Sequence, residues 1–143
     1  MPVLIRRGRK DDAMILVAED NDVNQIVVEQ ILLEAGMDYK IVENGQLAVD
    51  SYKDNPPDLV LMDVSMPVMN GLEATEAIRA LEEEIGVRTP IIGLTAHALK
   101  GDREVCIKAG MDDYMSKPIS PDALVDKISD WLERPKALVA GAG

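Results

Sequence analysis

Short apolar runs that alternate with longer stretches of helical period constrain this chain more than any other feature, because that alternation marks βα units around a parallel sheet. The first run, Ala13 to Ala18, is continuously apolar, as expected of a strand covered by helices on both faces. It stops at Glu19-Asp20-Asn21. A helix is expected from Asp22, whose carboxylate could cap the free amides with Gln25 three residues on, to a stop at Gly36. A second strand lies near Tyr39 to Glu43, followed by a helix from Gly45 to Lys53 that Asn55-Pro56-Pro57 breaks. The third strand, Asp58 to Met62, delivers Asp63 to its C-terminal end. Ala74, Ala77, Ile78, Leu81 and Ile85 mark one buried face of a third helix. Pro90 opens a fourth strand through Leu94, Gly101 to Ala109 reads as a short helix, and Asp113 to Ser116 as a fifth strand. Ser120-Pro121 starts a last helix with Leu124, Ile128, Trp131 and Leu132 facing inward.

A chain of 143 residues, 47% hydrophobic, suits one compact core rather than two domains. Residues 1–12 show no period and read as a leader or linker, residues 13–133 as the folded domain, and 134–143 as a flexible tail. With 26 acidic against 15 basic residues, the formal charge of -11 argues against a nucleic-acid backbone or an anionic membrane as the main partner. A cation or a basic protein surface fits better. No apolar run approaches the roughly 18 residues of a membrane span, so the expectation is a cytoplasmic domain without direct membrane insertion. Cys106 is the only cysteine, which rules out an internal disulfide and a cysteine-held zinc and leaves a packing role.

Parallel strands of an open sheet end on one side, and ligands bind beyond those ends where the strand order reverses. In a 2-1-3-4-5 order the strand-end residues Glu19, Asp20, Asp63 and Thr95, with Lys117 just after the fifth strand, share one rim. Three carboxylates at about 4 Å repel by roughly 1 to 4 kcal/mol per pair, so a positive charge belongs among them. Oxygen ligands without histidine favour Mg²⁺ or Mn²⁺ over zinc. A metal beside a carboxylate points to phosphoryl chemistry with an aspartate as nucleophile. Asp63 is the candidate nucleophile and Glu19 with Asp20 the metal pair. Lys117 would bring a point charge, and Thr95 a hydroxyl, to phosphoryl oxygens.

The stretches Ile15-Leu16-Val17-Ala18-Glu19-Asp20-Asn21, Leu61-Met62-Asp63-Val64-Ser65-Met66-Pro67-Val68-Met69-Asn70-Gly71, Gly93-Leu94-Thr95-Ala96 and Lys117-Pro118 closely resemble the receiver domain of two-component response regulators. The resemblance covers about residues 13 to 133. It implies a flavodoxin-like, doubly wound five-stranded parallel sheet in the order 2-1-3-4-5, with helices on both faces. It also implies phosphorylation of Asp63 by a histidine kinase or histidine phosphotransfer protein, with metal ligands Asp20, Asp63 and the backbone carbonyl of Ser65, and with Glu19 acting largely through water. Thr95 and Tyr114 match the family's switch pair, whose rearrangement would alter a face for a downstream protein partner. Lys117-Pro118 matches a cis-proline turn, an isomer that sequence alone does not fix. Ser65 and His97 stand where the family tunes loss of the phosphoryl group to water. The resemblance thus implies a phosphoacceptor regulatory domain rather than an enzyme, free-standing or part of a hybrid histidine kinase.

Three other functions compete on this or a related α/β sheet. An aspartyl-phosphate phosphatase asks for its nucleophile after strand one, a second aspartate two residues later and a cap; Glu19-Asp20-Asn21 lacks that spacing. A flavin or nucleotide binder asks for a phosphate-cradling loop, whereas the first loop here is anionic. A binding module that is never phosphorylated would not need the full set of site residues.

Overall fold

The computed structural model describes residues 13–96, 100–134 and 137–138. The elements in chain order are β1 (Met14–Ala18), α1 (Asp22–Glu34), β2 (Asp38–Val42), α2 (Gly45–Asp54), β3 (Leu59–Asp63), α3 (Gly71–Ile85), β4 (Val87–Arg88), β5 (Ile91–Thr95), α4 (Lys100–Ala109), β6 (Asp113–Ser116), α5 (Pro121–Glu133) and β7 (Ala137–Leu138). The main sheet is parallel with order β2-β1-β3-β5-β6. With the two-residue β4 set aside, this is the expected 2-1-3-4-5.

The continuous apolar strands divide their side chains between two cores with the period of two that a pleated strand imposes. Ile15, Val17, Leu59, Leu61, Ile92 and Leu94 face α1 and α5, where Val28, Ile31, Leu32, Leu124 and Ile128 meet them. Leu16, Ala18, Val60, Met62 and Ile91 face the other way, onto Ala48, Val49, Tyr52, Ala74, Ile78 and Cys106 of α2, α3 and α4. Burying a Leu, Ile or Val side chain contributes about 1.5–3 kcal/mol, so this double core dominates the stability of the sheet.

Several local expectations are corrected. α1 is capped by Asn21, whose extended backbone lets its side chain accept from the Asn24 N–H at 3.0 Å, and Asp22 is the first helical residue instead. The buried stripe of α3 is Ala74, Thr75, Ile78 and Glu82, while Ala77 and Leu81 are half-buried and Ile85 is 51% exposed. α3 outruns the apolar core at its C-terminal end, so its last inward position is a carboxylate with polar partners rather than an isoleucine. Ala137–Leu138, in the segment expected to be a flexible tail, pair antiparallel with Val87–Arg88, which the sequence reading assigned to no strand. Among the described residues, no helix is long and apolar enough to cross a membrane.

Candidate functional site

The backbone N–H of Glu19, just past β1, still donates to the Val42 carbonyl at 3.0 Å, which holds Glu19 in line with the sheet. Its side chain is fully buried, and Oε2 accepts from the Asn21 N–H at 3.1 Å. Oε1 is buried without a hydrogen bond, although Lys117 Nζ stands 3.2 Å away as an ion-pair partner. Gln25 Nε2 donates to the Glu19 carbonyl at 2.6 Å and ties the loop to α1. Asp20 is exposed beside it.

Asp63 is the last residue of β3 and only 3% exposed. Its Oδ1 accepts from the Ser65 N–H at 3.2 Å and its Oδ2 lies 3.1 Å from Lys117 Nζ. Burial first, and then the neighbouring Glu19 carboxyl, push the Asp63 carboxyl up to about 7, with Lys117 pulling the other way. For Lys117 burial is the largest single influence and works downward, yet Asp63 and Glu19 outweigh it and hold the ammonium above its ordinary range. The Lys117 N–H donates to the Thr95 carbonyl at 2.7 Å, and the Lys117-Pro118 bond is cis, which settles the isomer that sequence left open. Thr95 ends β5 and is 5% exposed. Tyr114 sits on β6 opposite Gly93 and is half-buried.

The loop between β3 and α3 closes over Asp63 by backbone contacts. Val64 N–H donates to the Leu94 carbonyl at 2.9 Å, and Gly71 N–H returns to the Val64 carbonyl at 3.0 Å. Within the loop, Met69 N–H donates to the Pro67 carbonyl at 2.7 Å around Val68, whose φ is +68°. A branched residue with positive φ is an outlier costing on the order of 1–3 kcal/mol, and Val68 is 81% exposed, so no burial offsets that cost. A Cβ at Gly71 would stand 2.1 Å from the Asp63 carbonyl oxygen; only glycine fits there.

Carboxylate oxygens of Glu19, Asp20 and Asp63 lie within 4.8 Å of one another. An all-oxygen set, one of its members holding a buried oxygen with no hydrogen bond, suits a hard divalent cation such as Mg²⁺. Thus Glu19, Asp20, Asp63 and Lys117 converge, and Thr95 joins them through its backbone. Ser65 is exposed and reaches Asp63 through its N–H. His97 lies outside the described residues. Sequence reasoning missed the collar of Asn21 and Gln25 around Glu19 and the close approach of Gly71; the polar run after the first apolar strand was the available signal for the collar.

Residues 15–129 match the model of the response regulator receiver domain. The chain belongs to that family. It is 44% identical over 120 residues, 80% of its length, to hybrid signal transduction histidine kinase I of Dictyostelium discoideum, and 42% identical over 118 residues, 82% of its length, to the sensor protein GacS of Pseudomonas syringae pv. syringae. It spans 7% and 13% of those two proteins. Among solved structures, it covers 98% of the receiver domain of a sensor histidine kinase from Pseudomonas aeruginosa, crystallised with a magnesium ion coordinated in the active-site cleft, at TM-score 0.78 and 43% identity over 85% of this chain. The Saccharomyces cerevisiae receiver domain of Ssk1, crystallised with the histidine phosphotransfer protein Ypd1, matches at TM-score 0.80 and 32% identity, over 84% of this chain and 88% of that one.

Proposed function

We propose that this receiver accepts a phosphoryl group on Asp63 from a phosphohistidine of a histidine kinase or histidine phosphotransfer protein. The observation that carries the reading is one buried carboxylate, Asp63, fixed between a lysine and two further acids at the end of the central strand. A carboxylate oxygen of Asp63 attacks phosphorus as the bond to the donor imidazole nitrogen breaks; the electron pair returns to that nitrogen, and the ring, protonated on its other nitrogen, leaves as neutral imidazole. Lys117 steadies the Asp63 carboxylate before transfer and meets a phosphoryl oxygen after it. The hydroxyl of Thr95 donates to another of these oxygens. Glu19, Asp20, Asp63 and the Ser65 carbonyl would hold Mg²⁺, for which Mn²⁺ can substitute, and the cation would neutralise charge that develops on the phosphoryl oxygens.

In this reading Thr95 and Tyr114 rearrange together and change a face presented to a downstream protein, while Ser65 and His97 set how fast water removes the phosphoryl group. The domain is a cytoplasmic regulatory acceptor rather than an enzyme that turns over excess substrate. Incubation of wild type and Asp63→Asn with Mg²⁺ and a small-molecule phosphodonor, followed by intact-mass measurement, tests the assignment. A single base-labile phosphoryl adduct on wild type alone is expected. An adduct on both proteins overturns Asp63 as acceptor, and an adduct on neither overturns the phosphoacceptor reading.

A further inference from the structure

α2 begins at Gly45, 18 positions before Asp63 in sequence yet in contact with the loop that follows it. The first amides of a helix have no partner inside the helix. The Asn44 side chain takes the Leu47 N–H at 2.8 Å, whereas the Gly45 N–H goes across to the Met69 carbonyl at 2.9 Å. Space at this contact is as restrictive as the hydrogen bond. A Cβ at Gly45 would stand 2.3 Å from the Met69 carbonyl oxygen and 2.9 Å from that of Asn70. Both are backbone atoms, so no rotation of a side chain relieves the clash. Gly45 has no left-handed φ, so the requirement for glycine comes from proximity rather than conformation.

The same loop is held on its other side by Gly71 against the Asp63 carbonyl, and between the two glycines stands Val68 with its positive φ. A loop with an unfavourable backbone at its tip keeps its shape only if its flanks are fixed. We infer that Gly45 is a positioning residue of the site: it sets the path of residues 64–70 and, through them, the placement of Ser65 and Asp63. The inference rests on the phosphoacceptor reading above and adds a residue on another element to it. Gly45→Ala pushes the Met69 and Asn70 carbonyls outward, draws Gly71 and Ser65 with them, and spoils metal and phosphodonor geometry without altering any acid of the rim.

The test compares wild type, Gly45→Ala and Leu32→Ala for rate of phosphorylation by a small-molecule donor across a Mg²⁺ series, with thermal melting of each metal-free protein. Leu32 is fully buried in the opposite core and reports general destabilisation. Gly45→Ala is expected to raise the Mg²⁺ midpoint by about 10- to 100-fold, the usual effect of disturbing groups that orient metal ligands, while Leu32→Ala keeps the wild-type midpoint. A wild-type midpoint and rate in Gly45→Ala overturn the inference, as does an equal change in Leu32→Ala. Alanine is the better helix former, so Gly45→Ala that melts higher than wild type also overturns it. Should Gly45→Ala fail to fold, NMR of ¹⁵N-labelled wild type decides: the Gly45 amide resonance is expected to shift with Mg²⁺ at the same midpoint as that of Ser65, and no shift refutes the coupling. Wild type that accepts no phosphoryl group but shows this coupled shift fails the phosphoacceptor reading alone.

Discussion

Asp63 in the metal-free chain keeps its proton to about pH 7, because burial and then Glu19 disfavour the charged form more than Lys117 favours it. Since the folded state binds this proton more tightly than the unfolded chain, Asp63 lends stability at pH below about 4 and loses it as pH rises to about 7. A cation at the rim must displace the same proton. Mg²⁺ affinity measured by titration calorimetry is therefore expected to fall as the pH is lowered from 8 to 6, with proton release that grows over the same range; a flat profile would contradict it. Val68 offers a second residue-scale test. Val68→Gly removes the positive-φ penalty at an exposed position and is expected to raise the unfolding free energy by about 1 kcal/mol in urea titration, less than the full penalty because glycine also gains freedom when unfolded.

Between elements, the end of the sheet away from the rim is held by a polar network. Arg79 of α3 donates to Glu82 at 2.6 Å, to Asp112 at 2.7 Å, and to the carbonyls of Gly110 and Thr89 at 2.8 and 2.9 Å. Glu82 also accepts from the Tyr52 hydroxyl at 2.9 Å and the Thr89 N–H at 2.6 Å, and Arg88 reaches Asp112 at 2.9 Å. Arg79→Ala leaves buried Glu82 short of its cation and is expected to cost about 3–5 kcal/mol in chemical denaturation. Asp113 ties β6 to α5 through Lys127 at 3.1 Å and Trp131 at 3.0 Å. Burial, its largest single influence, raises the Asp113 carboxyl, but Trp131, the Tyr114 N–H and Lys127 together bring it below its usual range. Its contribution is thus present above about pH 4 and lost as pH falls through the lowered native value. Asp113→Asn should cost about 1 kcal/mol at pH 7, and the gap to wild type should close in acid. These ties were not legible in the sequence. Periodicity places Arg79 and Ile85 on a helix but does not tell that α3 outruns the core, so Ile85 is exposed where it was expected inside and a buried Glu82 takes the inward position. β1, β3 and β5 were legible because each is a nearly unbroken apolar run, whereas β2 and β6 carry charged and polar residues and were placed by the alternation around them, and Glu19, Asp20, Asp63 and Lys117 were legible because strand ends converge. The cap at Asn21 and the close approaches of Gly45 and Gly71 depend on local dihedrals and through-space contact, which spacing does not carry.

For the whole molecule, Mg²⁺ that binds only the folded chain raises its stability by about 2.7 kcal/mol at a hundred times the dissociation constant. Thermal melting should therefore shift upward with Mg²⁺ in wild type and barely move in Asp20→Asn, and equal shifts in the two would remove Asp20 from the ligand set. The distribution of charge sharpens what that cation does. At the far end, Glu82 and Asp112 are met by Arg79 and Arg88, whereas at the rim the three acids Glu19, Asp20 and Asp63 face Lys117. When all are ionised, these four groups carry an excess of two negative charges, which one divalent cation cancels. On the proposed reading, a phosphoryl group on Asp63 would add negative charge to this rim, so modification and metal would become thermodynamic partners, each tightening the hold of the other. Whatever strips the metal would, by the same reciprocity, loosen the phosphorylated form, and on that reading the lifetime of the signal would be a property of ion occupancy as much as of Asp63 itself.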